Sequence, residues 1–142
     1  MVMSDRVEHR RPAGVDDATV EAVGALTEAL ETTERARGHL FEFHQLTGSG
    51  DAKLIKAAKL LRDAGHTALA DGLERHLIGR NVVPGRWTFQ LIEDYEDTYY
   101  SVFREWERKV RDDLMGGVAH VYEAEMKERN TTPDEPGHEL NP

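Results

Sequence analysis

The residues best equipped for chemistry in this chain are carboxylates and histidines at helical spacing. Helical bundles hold metal ions by pointing such side chains into the core, typically as a Glu-x-x-His pair with further carboxylates from facing helices. Asp63-x-x-His66 is the nearest match. If a first helix reverses into a second between about residues 46 and 51, positions whose numbers sum to about 97 come level. A reversal into a third helix between about 79 and 88 levels positions that sum to about 167. Glu34 and Arg104 then stand beside Asp63, and Glu31 and Ser101 beside His66. Glu31, Glu34, Asp63, His66, Ser101 and Arg104 are therefore expected in one polar slab at mid-height, with Glu34, Asp63 and His66 as candidate metal ligands. Arg104 would oppose a cation, and the donors fall short of the usual di-metal set. A buried salt-bridge layer that fixes helix register is the plainer role for the same six residues.

A second group surrounds one loop. Arg80, Arg86 and Trp87 lie between two helical segments, and Tyr95 and Tyr99 follow in the next. Arginine and tryptophan anchor interfaces, so these five are a candidate contact for a ligand or partner. Trp87 as a plug for the bundle end is the plainer alternative. Of the histidines, His44 falls on an apolar stripe, where a hydrogen-bonded core role is commonest. His120 approaches it only if the chain reverses at Gly116-Gly117. No acid–base pair, nucleophile or triad has supporting spacing. No phosphate loop, zinc-protease pattern or nucleotide fingerprint is present.

The elements that must position these groups are helices. Asp16 or Asp17 can cap the first. Its stripe, Val23, Leu26, Leu30, Thr33, Arg37, Leu40, His44, steps by three and four, as in a bundle seam. Thr47-Gly48-Ser49-Gly50 is expected to end it. Asp51 is expected to cap a second helix that runs to Gly79, and Thr88 a third. At Gly116-Gly117 two tendencies compete. Two interior glycines cost roughly 2 kcal/mol against alanine, which favours a break and a fourth, short helix. Leu114, Val118, Val121 and Tyr122 keep one helical phase across the pair, which favours a continuous or kinked helix to about Arg129. Such a helix would span roughly 60 Å and overhang its neighbours, at roughly 40–45 Å. Val118, Val121, Tyr122 and Met126 would then form a dimer contact. The expected fold is thus all-α: an antiparallel bundle of three long helices, the third kinked or broken at the glycine pair.

Composition agrees. The 142 residues suit one domain, with residues 15–129 as the bundle and polar tails at 1–14 and 130–142 that lack the apolar content to order themselves. Only 39% of residues are hydrophobic and 32% are charged, which suits helices with one buried stripe. The net charge of −9 argues against nucleic acid as a partner. Lys53, Lys56 and Lys59 read as a solvated helix face. The absence of cysteine excludes thiolate sites and fits a reducing compartment. No apolar run reaches the ~18 residues that cross a bilayer, and no signal-peptide core opens the chain, so a cytoplasmic location without membrane contact is expected.

Three functions follow as expectations. The first is a non-enzymatic helical protein that forms a homo-oligomer, a dimer by preference, or binds another protein. The second is a ferritin-like carboxylate–histidine bundle holding a divalent metal, as an oxidoreductase or hydrolase. The third is a small-molecule binder with an interhelical pocket near Trp87, Tyr95 and Tyr99. No organic cofactor is expected.

Overall fold

The computed structural model describes residues 8–142, so half of the expected N-terminal tail lies outside it. The expected all-α class holds: among the described residues there are helices and no strands. Helix α1 spans Asp17–Asp63, followed by α2 (Thr67–His76), α3 (Thr88–Tyr95), a π-helical turn (Glu96–Tyr100), α4 (Ser101–Met115) and α5 (Val121–Asn130).

The element lengths differ from expectation. Asp16 does start α1: its Oδ1 accepts the Thr19 N–H at 2.8 Å, which satisfies one of the exposed donors of the first turn. Thr47-Gly48-Ser49-Gly50 does not stop it. Neither Gly48 nor Gly50 has positive φ, so neither forms a left-handed cap. Inward positions recur every seven residues straight through the segment, at Val23, Leu30, Arg37, His44, Asp51 and Ala58. Contacts at this seam outweigh a glycine cost of about 1 kcal/mol each. The stop comes instead at Gly65, with φ +91°. There the Gly65 N–H bonds to Arg62 O at 3.0 Å and the His66 N–H to Leu61 O at 2.8 Å, closing the helix end.

The chain divides into two units, Glu34–Tyr99 and a second made of Met1–Thr33 with Tyr100–Pro142. In Glu34–Tyr99, the later part of α1 is met by a chain returning antiparallel. Arg62 pairs with Asp71 at 2.8 Å and Glu74 at 3.1 Å. Asp51 Oδ1 accepts the Gly79 N–H at 2.9 Å. His44 Nδ1 lies 2.5 Å from Thr88 Oγ1, and Arg37 Nε donates to Glu96 Oε1 at 2.7 Å. As the α1 number falls, the partner number rises. Thus Asp51, the expected cap of a second helix, sits inside α1 and holds the loop after α2. Thr88 is not the cap of α3 either. Trp87 occupies that position, and Gln90 Oε1 accepts its N–H at 3.0 Å. Between α2 and α3, Val83-Pro84-Gly85-Arg86 forms a turn closed by the Arg86 N–H to Val83 O at 3.2 Å. Proline and a glycine with φ +77° stand where a type II turn needs them.

In the other unit, the first part of α1 packs against α4 and α5. Val20, Val23, Met115 and Val121 form the core, flanked by Val15, Val110 and Val118. Buried Glu107 is met by Arg111 Nε at 3.1 Å and by Thr27 Oγ1 at 3.2 Å. The glycine pair breaks the helix: Gly116 and Gly117 have φ +60° and +79°, and both suit the left-handed conformation that other residues avoid. The phase kept by Val118 and Val121 serves packing after the reversal. Residues 8–14, expected as tail, make specific contacts. Arg11 reaches Asp17 and Glu125, each at 2.7 Å, and His9 Nδ1 donates to Ala119 O at 2.8 Å. Hydrogen bonds from Arg11 to Asp17 and then Glu125 raise its pKa above the ordinary value.

Candidate functional site

The slab expected at mid-height is not assembled, because the reversal it required at 46/51 does not occur. Glu34 and Asp63 sit on one helix, 29 residues apart in the numbering, which is about 44 Å along the axis. Asp63 pairs with Lys59 at 2.6 Å, and His66 is the exposed residue ahead of α2. The candidate ligands Glu34, Asp63 and His66 therefore do not converge. Half-buried Ser101 opens α4, and the Arg104 guanidinium lies over the Tyr100 ring at 5.7 Å.

The loop group is partly brought together. Trp87 is 60% exposed and meets Phe89 edge-on at 5.3 Å. Trp87 and Arg80 line an open groove of about 710 Å³ with Thr47, Asp51, Leu54 and Leu77. Arg86 pairs with Asp94 at 2.7 Å and, with Trp87 and Gln90, borders a smaller groove of about 240 Å³. The Tyr95 and Tyr99 rings meet at 5.6 Å with their planes tilted by 41° and line neither groove. The larger groove has mixed walls and no cluster of convergent titratable groups, so it presents shape without evident chemistry.

Of the expected dimer contact, Val121 is buried in its own unit and Val118 packs against the same core. Tyr122 and Met126 remain partly exposed, and Tyr122 covers Gly24, where an added Cβ would lie 2.7 Å from the Tyr122 Cβ. The unpartnered apolar surface is elsewhere. On α1, Phe43, Leu46 and Leu60 stand exposed. With Gly50, Lys53 and Ala57 they form a second stripe at spacings 3-4-3-4-3, on a different side from the Arg37, His44, Asp51 seam. That stripe was visible in the sequence, but a helix ending at residue 47 splits it in two.

One cluster of potential ligands was not foreseen as such. Glu31 from α1, His120 from the turn before α5 and Glu123 from the first turn of α5 each place a ligand atom within 4.8 Å of the others. His120 Nδ1 is bonded to Glu123 Oε2, and the His9 ring approaches His120 edge-on at 5.9 Å. The partner expected for His120 was His44; within its own unit His120 meets Glu123 and Glu31. The i, i+3 spacing of His120 and Glu123 was the only local signal; Glu31 and His9 lie far away in sequence. Among the described residues no helix is long and apolar enough to cross a membrane. In comparison with known proteins, the chain matches no family, no curated protein and no solved structure.

Proposed function

We propose that this protein acts through self-association, two copies pairing antiparallel along the exposed stripe of α1. The observation that carries this reading is the imbalance in Glu34–Tyr99. Its buried apolar residues are Ala58, Ala70 and Ile92, while ten large hydrophobic side chains stand 39–64% exposed. Three of the ten, Phe43, Leu46 and Leu60, lie on the α1 stripe; at about 1.5–3 kcal/mol for full burial of each, their half-exposure leaves roughly 2–5 kcal/mol of hydrophobic stabilisation unrealised in each copy.

The pattern on α1 favours a second copy as the occupant. The stripe continues toward the N-terminus through exposed Ala22, Ala25, Ala29, Thr32, Ala36 and His39. Antiparallel pairing at a level sum of about 75 sets large residues of one half against small ones of the other. Phe43 meets Thr32 of the second copy, Leu46 meets Ala29 and Lys53 meets Ala22. Flanking positions then sum to about 77, where Glu21 faces Lys56 and Arg35 faces Glu42. Each exposed pair contributes at most ~1 kcal/mol, so they choose orientation more than they supply affinity.

Sedimentation equilibrium tests this. The expected species has twice the 16.1 kDa chain mass. Phe43→Glu with Leu46→Glu should reduce it to the chain mass while far-ultraviolet circular dichroism stays helical. Glu21→Lys alone should weaken pairing, and adding Lys56→Glu should restore it. A wild-type chain that stays monomeric at high micromolar concentration refutes the proposal.

A further inference from the structure

We infer that Glu31, His120 and Glu123 form a binding site for a divalent transition-metal ion. The site is separate from the proposed pairing stripe, since Glu31 points away from the line through Ala29, Thr32 and Ala36 on α1.

Three features carry the inference. The first is convergence from distant parts of the chain. Glu31 and His120 are 89 positions apart, yet their ligand atoms and that of Glu123 lie within 4.8 Å of one another. Tetrahedral ligands at about 2.1 Å from a zinc ion are separated by roughly 3.4 Å. Binding an ion would draw the three ligand atoms from within 4.8 Å of one another to about that separation. Donors of one nitrogen and two carboxylate oxygens suit Zn²⁺ and its first-row neighbours rather than Mg²⁺ or Ca²⁺, which prefer all-oxygen shells.

The second feature is the backbone at His120. It is one of two described non-glycine residues with positive φ, at +61°. This conformation costs roughly 1–2 kcal/mol for a side chain with a Cβ. Asparagine, aspartate and histidine are the side chains that adopt it most readily. The conformation does set the imidazole against Glu123 on the next turn.

The third feature is a second imidazole beside the first. The Ala119 carbonyl can only accept, so His9 Nδ1 donates to it at 2.8 Å. A backbone carbonyl fixing one ring nitrogen so that the other ligates is the common outer-shell arrangement of metal-binding histidines. His9, whose ring lies 5.9 Å from that of His120, is the candidate fourth ligand. The ion would tie α1, the segment before α1 and the start of α5 together.

Isothermal titration of the metal-stripped full chain with ZnCl₂ tests the site, with the visible absorption of added Co²⁺ as a second readout of nitrogen and oxygen ligation. One equivalent per chain is expected. His120→Ala and, separately, Glu31→Gln should weaken binding by on the order of tenfold or more, with circular dichroism unchanged. His76→Ala and His138→Ala should leave it intact. Absence of uptake by the wild-type chain overturns the inference and leaves a plain His120–Glu123 hydrogen bond. So does uptake that survives both His120→Ala and Glu31→Gln, or that is lost equally in the two control variants. Loss of self-association in the Phe43→Glu, Leu46→Glu chain with zinc uptake retained would show the two sites to be independent, as proposed; loss of both would overturn their separation.

Discussion

Gly48→Ala is the sharpest probe of this fold, because its sign depends on whether α1 passes unbroken through residues 47–50. An interior helical glycine is less favourable than alanine by about 0.8–1.0 kcal/mol. A Cβ added at Gly48 meets nothing within 4 Å, so no overpacking opposes the gain. Gly38, also inside α1, is equally open and lies about 15 Å away along the axis, far enough for the two effects to add. Each substitution should therefore stabilise by about 1 kcal/mol and the pair by about 2 kcal/mol. With a urea m-value near 2 kcal/mol/M, the midpoint should rise by roughly 0.5 M per substitution at unchanged m. The melting temperature should rise by about 3–5 °C per substitution. The assay is urea unfolding followed at 222 nm, at one protein concentration because self-association itself contributes stability. Were residues 47–50 a turn with Gly48 left-handed, alanine would instead cost about 1–2 kcal/mol. Gly38→Ala stabilising while Gly48→Ala destabilises would refute the continuous helix. Gly50 is left out because it lies on the proposed pairing stripe.

Further outcomes follow from single contacts. Gly24→Ala should reverse the sign seen at Gly38: its Cβ would lie 2.7 Å from the Tyr122 Cβ, and overpacking of about 1–3 kcal/mol exceeds the propensity gain. Thermal unfolding of the two variants side by side checks this. Met115→Ala empties the fully buried centre of the Val20, Val23, Val121 cluster and should cost about 2–5 kcal/mol in urea unfolding. The hydrogen bonds from Thr19 hold the Asp16 carboxyl below its ordinary value of 3.8. Its contribution to the start of α1 is therefore fully present above pH 3.8 and lost as pH falls through the lowered value. Amide exchange in the first turn of α1 should report that loss, Asp16→Ala should show it already at neutral pH, and Asp16→Asn should retain most protection at both.

The sequence by itself determined whatever depends on neighbours within a turn or two. Helical class follows from the three-and-four spacing and from prolines confined to the ends and one loop. The start of α1 follows from Asp16, which needs only its own next turn to cap. The inward seam through Val23, Leu30, Arg37 and His44 was legible for the same reason, as was the loop around Pro84-Gly85. Tertiary structure decided which glycines end helices. Gly48, Gly65 and Gly116 differ by nothing local that exceeds about 1 kcal/mol, so packing beyond them settles whether each is crossed or turned. Moving one reversal from 46/51 to residue 65 then changes every cross-chain pairing. Glu34 and Asp63 separate along one helix, Arg37 meets Glu96, and His44 meets Thr88. The convergence of Glu31 with His120 and Glu123 has the same origin. It depends on the left-handed glycines at 116 and 117, which turn the chain back, and no spacing along the sequence encodes a contact made across that return.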